Sequence, residues 1–454
     1  MNTPVFDFVS AYIASGASRL HMPGHKGVGP LGIEARDITE IPGADVLYSS
    51  DGILRRSEEN AASLFGTGRT LYSTEGSSHV IRAMLYLALL RWHRGGGAGR
   101  PVLLAARNAH KVLLYAAALL DFEIEWLYPG EPDLRSVCSC QPTAEALEKR
   151  LDAMAAHPFA VYLTSPDYLG AMADLCGISA VCRRFSLPLL VDNAHGAYTH
   201  FLPAPLHPMD RGAYLCADSA HKTLPCLTGA AYLHMSRQAA AELGDEADDA
   251  LALFGSTSPS YLILQSLDLC NAYLDGGYRE KLARTIDKLT ALKARLRENG
   301  VPVLETEPLK LTVDAAALGL TGEALAAALR RRGIEAEFSD LQFLVLMFTP
   351  ENREEDYLRL EAALTESAAD AKRPDCPPAP LRLKPLRRAL GIREAIFAPH
   401  RLVPIEEALS RICGQPSVSC PPAVPIAVSG EVLDAEALSL FRACGIETVS
   451  VVDL

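Results

Sequence analysis

The chain has 454 residues and a mass of 48.9 kDa. That exceeds the roughly 100–200 residues of one ordinary domain, so two or three packed units are expected. Hydrophobic residues make up 49% and charged ones 22%, a balance that excludes wholesale disorder. With 43 Lys+Arg against 55 Asp+Glu the formal charge is −12, which excludes nucleic-acid binding by bulk charge and leaves only local basic pockets for anions.

In chain order, Met1–Leu20 lacks the basic segment and long apolar core of a secretory signal. No apolar run approaches the roughly 18 residues of a membrane span, Val112–Leu120 being short and Ala-rich. Val80 to Trp92 reads as a helix, and Gly95–Gly99 as a flexible turn after it. Arg100–Ala106, Phe159–Leu163, Leu187–Val191 and Gly212–Ala217 read as buried strands, with helices at Thr143–Ala156 and Gly177–Phe185 among them. Such alternation predicts a mostly parallel sheet covered on both faces, with ligands at the carboxyl ends of its strands. Tyr278–Gly300 spaces Leu282, Ile286, Leu289, Leu292 and Leu296 as one long helix. A strand at LKLTVDA, a helix at Thr321–Arg332, a short Ile334–Phe338 run and a strand at LQFLVLMF then suggest a small α+β unit. Arg373–Pro385 is a Pro-rich loop, followed by a helix at Pro404–Ile412, a turn at Pro421–Pro425, and Ser429-Gly430-Glu431. The eleven cysteines form no regular framework and lack the second pair that a structural zinc site needs, so free thiols in a reducing cytosol are expected.

Chemistry concentrates at the strand ends. Asp192-Asn193-Ala194-His195-Gly196 closes one strand, and Asp218-Ser219-Ala220-His221-Lys222-Thr223 closes the next. A carboxylate buried there is costly unless it meets a cation or strong donor. A lysine of depressed pKa can form a Schiff base. An acid for a protonated pyridine nitrogen and a lysine for an aldehyde are together what pyridoxal phosphate needs, although an Asp–Lys salt bridge is the simpler alternative. Thr74–His79 precedes a helix and offers hydroxyls and backbone N–H groups to a phosphate, or merely an N-cap. Arg107-Asn108-Ala109-His110-Lys111 puts an imidazole after the first strand. Thr164-Ser165-Pro166-Asp167-Tyr168 follows another strand as a proline turn. His21-Met22-Pro23-Gly24-His25-Lys26-Gly27 gathers two His and a Lys, with no third ligand at a helical spacing to support a metal.

Taken in order, these segments resemble the ornithine/lysine/arginine decarboxylase family in its short form, over almost the whole chain. His21–Gly27 resembles H-x-P-G-H-K-G, Thr74–Ser78 T-x-G-[ST]-[ST], Arg107–Lys111 R-N-x-H-K, and Thr164–Tyr168 T-[ST]-P-x-Y. Asp192–Gly196 resembles D-E-A-H-G, Ser219–Leu224 S-x-H-K-x-L, and Ser256–Tyr261 reads STSPSY as the family does. The resemblance implies an α/β fold of the fold-type-I (aspartate aminotransferase-like) class, with a mostly parallel sheet in the large domain and a smaller α+β C-terminal domain. It implies decarboxylation of lysine, arginine or ornithine with pyridoxal 5'-phosphate, by a cytoplasmic homodimer with shared active sites or a higher oligomer. Lys222 would carry the cofactor, Asp192 would pair with its ring nitrogen, and His110 would stack on the ring. Ser77, Ser78 and Ser219 would hold the phosphate with His195 nearby, and Ser256 and Thr257 would reach the neighbouring subunit's phosphate. His221 would assist proton delivery, while Glu337, His25 and Cys420 would face the substrate. No metal, membrane or nucleic-acid partner is implied.

Departures from the pattern are Glu75 for Asn, Asn193 for Glu, Val112 for Ser, and Cys420–Pro425 (CPPAVP) for Y-P-P-G-I-P. An aminotransferase or lyase of the same fold remains an alternative, with Arg331, Arg332, Arg382 and Arg393 available for a carboxylate. A cofactor-binding protein without turnover is a third. The expected domains are an N-terminal segment with an active-site loop (1–50), a cofactor-binding large domain (51–285), a small domain (286–372), and a Pro-rich linker with a C-terminal tail subdomain (373–454).

Overall fold

A computed structural model describes residues 1–128, 140–371, 384–415 and 425–453, together with the backbone of 133–134 and 381–382. Cys420 and residues 421–424 of the expected turn lie outside the described residues.

The main sheet contains β1 (Arg69–Ser73), β2 (Val102–Ala106) and β3 (Glu123–Leu127). After the short β4 (Asp133–Leu134), which belongs elsewhere, come its remaining strands β5 (Ala160–Thr164), β6 (Leu189–Asp192), β7 (Leu215–Asp218) and β8 (Ala231–Met235). Their order is β1-β8-β7-β6-β5-β2-β3. The pairs β2–β3 and β6–β7 are parallel, while β8 runs antiparallel to both β1 and β7. Every residue of β6 and β7 is buried, as expected of strands covered on both faces. The four strands expected in this sheet hold to within three residues because continuous apolar runs have little choice but to be buried.

Tertiary contacts divide the chain into two compact units that are discontinuous in sequence: 1–98, 159–161 and 182–281 in one, and 99–158, 162–181 and 282–454 in the other. The first unit holds β1 and β6–β8. Its N-terminal helix, Pro4–Ala14, is capped from a distance, because Asp268 Oδ2 accepts the N–H groups of Val5 and Phe6 at 2.9 Å each.

The second unit holds β2 and β3 and the small three-stranded sheet β10-β11-β9, formed by β9 (Lys310–Asp314), β10 (Phe338–Ser339) and β11 (Phe343–Met347). All pairs in this small sheet are antiparallel. The helix Gly322–Arg330, capped by Thr321 Oγ1 on the Ala324 N–H, follows β9 and confirms the expected strand–helix–strand–strand order. Leu289, Leu292 and Leu296 pack into the same apolar cluster as Leu311, Leu344 and Leu360. Of the strands after it, β12 (Leu381–Arg382) pairs with β4, and β13 (His400–Pro404) pairs with β14 (Thr448–Val452).

The expected helix at Pro404–Ile412 is not formed. Pro404 ends β13, a single 3₁₀ turn covers Ile405–Glu407, and Ser410 has φ of +62°, which no helix tolerates. Ile405, Ala408 and Cys413 are buried together against Phe441 and Val449, so tertiary packing holds this segment in place without a helix. No helix among the described residues is long and apolar enough to cross a membrane.

Candidate active site

Two parallel strand ends bring the lysine and its companions together. β6 ends at Asp192, which is 2% exposed and accepts the Ala194 N–H at 3.2 Å. β7 ends at Asp218, and the chain then makes one helical turn, Ala220–Thr223, that carries Lys222. Lys222 Nζ lies 3.0 Å from Nε2 of His195, itself 3% exposed. The first strand-end loop therefore holds the amine of the second. His221, beside the lysine, places Nδ1 2.8 Å from the Ala230 carbonyl, so this nitrogen carries a proton and donates it to that oxygen.

Hydroxyls gather on the same side. Ser77 opens the eighteen-residue helix Ser77–Arg94, and the Ser219 hydroxyl donates to its Oγ at 2.7 Å. Ser77 and Ser78 occupy the first turn, where free backbone N–H groups and the helix dipole favour an anion. The preceding loop is held close to the loop after Lys222: Gly76 N–H donates to Gly229 O at 2.8 Å. A Cβ on Gly229, whose φ is +100°, would lie 2.7 Å from the Thr74 carbonyl, so only glycine fits there. Glu75, one of the departures, accepts the Ser256 N–H at 2.6 Å and so ties down the exposed STSPSY loop that carries Ser256 and Thr257. His25 lies in the same unit, its Nδ1 accepting the Gly27 N–H and its Nε2 3.1 Å from Asp37.

His110 and Glu337 belong to the second unit. His110 is exposed, and its Nδ1 accepts the Val112 N–H at 3.2 Å. Glu337 is exposed and accepts the Tyr168 hydroxyl at 3.2 Å, which links the small sheet to the Thr164–Tyr168 turn. Arg107 and Glu431, both in motifs noted from sequence without a role, form a buried bidentate pair at 2.8 Å and 2.8 Å. The guanidinium also lies 4.9 Å from the Trp126 ring centre. This pair pins the Ser429–Glu431 segment to the strand end that precedes His110.

Sequence reasoning missed the partners of Asp218. His207 and His234 reach its carboxylate from 11 and 16 residues away. The strand-end argument that singles out Asp192 applies equally to Asp218, but nothing local to either histidine marks it.

Residues 3–306 match the family of the Orn/Lys/Arg decarboxylase major domain. The chain belongs to this family. It is 29% identical to the arginine decarboxylase of Bacillus subtilis (strain 168), over 96% of this chain and 92% of that protein. It is 30% identical to the arginine decarboxylase of Halalkalibacterium halodurans, over 97% and 93%. The solved structure of the constitutive lysine decarboxylase of E. coli superposes with a TM-score of 0.77 at 18% identity, covering 100% of this chain and 82% of that one. The fold is that of the fold-type-I pyridoxal phosphate enzymes, and the family member described here is a decarboxylase of a basic amino acid.

Proposed function

We propose that the basic amino acid is arginine and that Lys222 carries pyridoxal 5'-phosphate. The observation that carries the cofactor reading is the Lys222–His195 contact at 3.0 Å beside the buried Asp192. The donor set fits the group: an amine for its aldehyde, a dry carboxylate for its ring nitrogen, and hydroxyls at a helix start for its phosphate. Arginine is favoured because the two relatives above, matched over nearly their whole length, are both arginine decarboxylases.

When bound, the cofactor supplies the electron sink that takes up the charge left at Cα as the carboxylate departs. The chain's residues do the rest. Asp192, cut off from water, keeps a proton on the pyridine nitrogen by offering it a fixed negative charge. Ser77, Ser78 and Ser219 hold the phosphate dianion against the helix N-terminus. His195 orients the Lys222 amine, and His221 returns a proton to Cα through its Nε2. On the family resemblance, His110 would serve the cofactor ring and Glu337 the substrate's distal cation, with His25 as a further substrate residue. Ser256 and Thr257 serve the phosphate of a second copy, so the working unit is a homodimer.

The test is CO₂ release from arginine, lysine, ornithine and a neutral amino acid by purified protein with added pyridoxal phosphate. We expect release from arginine, with the visible band of the bound cofactor lost and the rate down by at least about 10⁴-fold in Lys222→Ala. CO₂ from lysine alone would overturn the arginine assignment. A persistent band in Lys222→Ala would overturn the role of the lysine.

A further inference from the structure

A buried carboxylate with no part in the chemistry above ties the two strand-end loops together. Asp218 is fully buried, and four donors converge on it. His207 Nε2 lies 2.9 Å and His234 Nε2 3.2 Å from Oδ2, while Asn193 Nδ2 lies 2.7 Å and Cys216 Sγ 3.4 Å from Oδ1. The His207 tautomer is set independently: its Nδ1 accepts the Met209 N–H at 3.3 Å, so the proton sits on Nε2 and is donated to Asp218. Thr70 Oγ1 closes the set from β1, 2.8 Å from His234 Nδ1. Burial by itself would raise the carboxyl's pKa, but the two imidazoles outweigh it and hold the group well below the usual carboxylate range. Burial lowers the pKa of His234, opposed by Asp218. The cluster is therefore a carboxylate whose hydrogen bonds are supplied from within the fold at a dry strand end. His207, Cys216 and Asp218 lie close enough to share a metal ion, but the Nε2 lone pair that a metal would need is occupied by the proton given to Asp218.

Asn193 is the connection to the site. Its backbone N–H donates to Ala217 O at 2.9 Å and its side chain to Asp218, so the residue after Asp192 is held twice by the strand that leads to Lys222. The resembling motif carries Glu at this position. A Glu at 193 would remove the amide donor and bring a second carboxylate towards the fully buried Asp218. We propose that Asp218 is a positioning residue for the decarboxylation, holding the Asp192–His195 loop in register with the Ser219–Lys222 turn through Asn193, and that Asp218 is the reason residue 193 is an amide. The proposal rests on the assignment of Asp192 and Lys222 to the active site. A misplacement of about 1 Å in such a constellation can cost on the order of 10²-fold in rate.

The experiment compares wild type, Asn193→Glu, Asp218→Asn, the double variant Asn193→Glu/Asp218→Asn, and Asn193→Ala. Three quantities are read: the thermal midpoint of the cofactor-free protein, the visible band with pyridoxal phosphate, and kcat and KM for CO₂ release. Each exchange alone should lower the cofactor-free midpoint by about 5 °C or more. The double variant, with carboxylate and amide exchanged, should recover most of that loss and the visible band. In Asp218→Asn and Asn193→Ala, kcat should fall about 10²-fold with KM within about twofold. A double variant no better than the worse single variant would overturn the coupling. An unchanged kcat in Asn193→Ala, which introduces no second charge, would overturn the positioning role even if Asn193→Glu fails to fold. Stoichiometric zinc that survives a chelator in wild type and is lost in Asp218→Asn would overturn the hydrogen-bond reading. The cofactor-free midpoints need no catalysis, so coupling between 193 and 218 is read even if the arginine assignment fails.

Discussion

Asp218 and Glu58 lie in the same unit, 0% and 2% exposed, yet they end in opposite protonation states. Asp218 collects two imidazoles, an amide and a thiol. Glu58, on the helix Ile53–Phe65, collects the Tyr72 N–H at 2.9 Å on Oε1, while its Oε2 has no hydrogen-bond partner among the described residues. The two arginines near it, Arg55 and Arg69, pair instead with Asp248 at 3.4 Å and 2.5 Å. Burial, opposed by the Tyr72 N–H and reinforced by Asp248, pushes the Glu58 carboxyl up to about 8, so it is neutral at pH 7. Burial thus sets the size of the penalty on a charge, and the number of donors decides whether the charge survives.

The contrast predicts different responses to substitution and to pH. The largest effect belongs to Asp218→Ala, which strands several buried donors and should cost about 4 kcal/mol in urea unfolding. Because the folded pKa of Asp218 is depressed, its contribution is present above the ordinary carboxylate pKa and is lost only as pH falls through the folded value. The cost should therefore be the same at pH 5, 7 and 9. A loss under about 1 kcal/mol would put Asp218 in the class of Glu58. Glu58 has the opposite sign. Its folded pKa is raised, so the wild type loses stability as pH climbs from about 4.3 towards about 8. Glu58→Gln should remove that loss, leaving stability unchanged at pH 4 and raising it by roughly 3–4 kcal/mol at pH 7. Parallel pH profiles for variant and wild type would show that Glu58 is ionised after all. The smallest effect is that of Thr70→Val, which deprives His234 Nδ1 of its partner and should cost about 1 kcal/mol, with the same value across pH 5 to 9. A cost near zero would separate His234 from the Asp218 cluster.

Much of this molecule is legible without its structure, and the exceptions share a cause. β6 and β7 are legible because a strand buried on both faces must be apolar throughout, and the loops after them because Asp, His and Lys are conspicuous where apolar runs stop. The Pro404–Ile412 segment is misleading because Ile405 and Ala408 are three apart, a spacing that suits a helix as well as a folded-back turn. Arg107 and Glu431 are separately visible as charges, but they are 324 positions apart, and no local pattern pairs them. His207 and His234 carry no signal at all.

The sequence by itself determined the family motifs of the protein: their order, the lysine and the acid at successive strand ends, and the apolar strands that present them. Those depend on neighbours along the chain, where periodicity and turn chemistry act. Tertiary structure alone decided which buried charges survive, joining Asp218 to His207 and His234, Asn193 to Asp218, and Arg107 to Glu431. A buried charge needs its partners in space and is indifferent to their distance in sequence, so its state is fixed only when the strands have met.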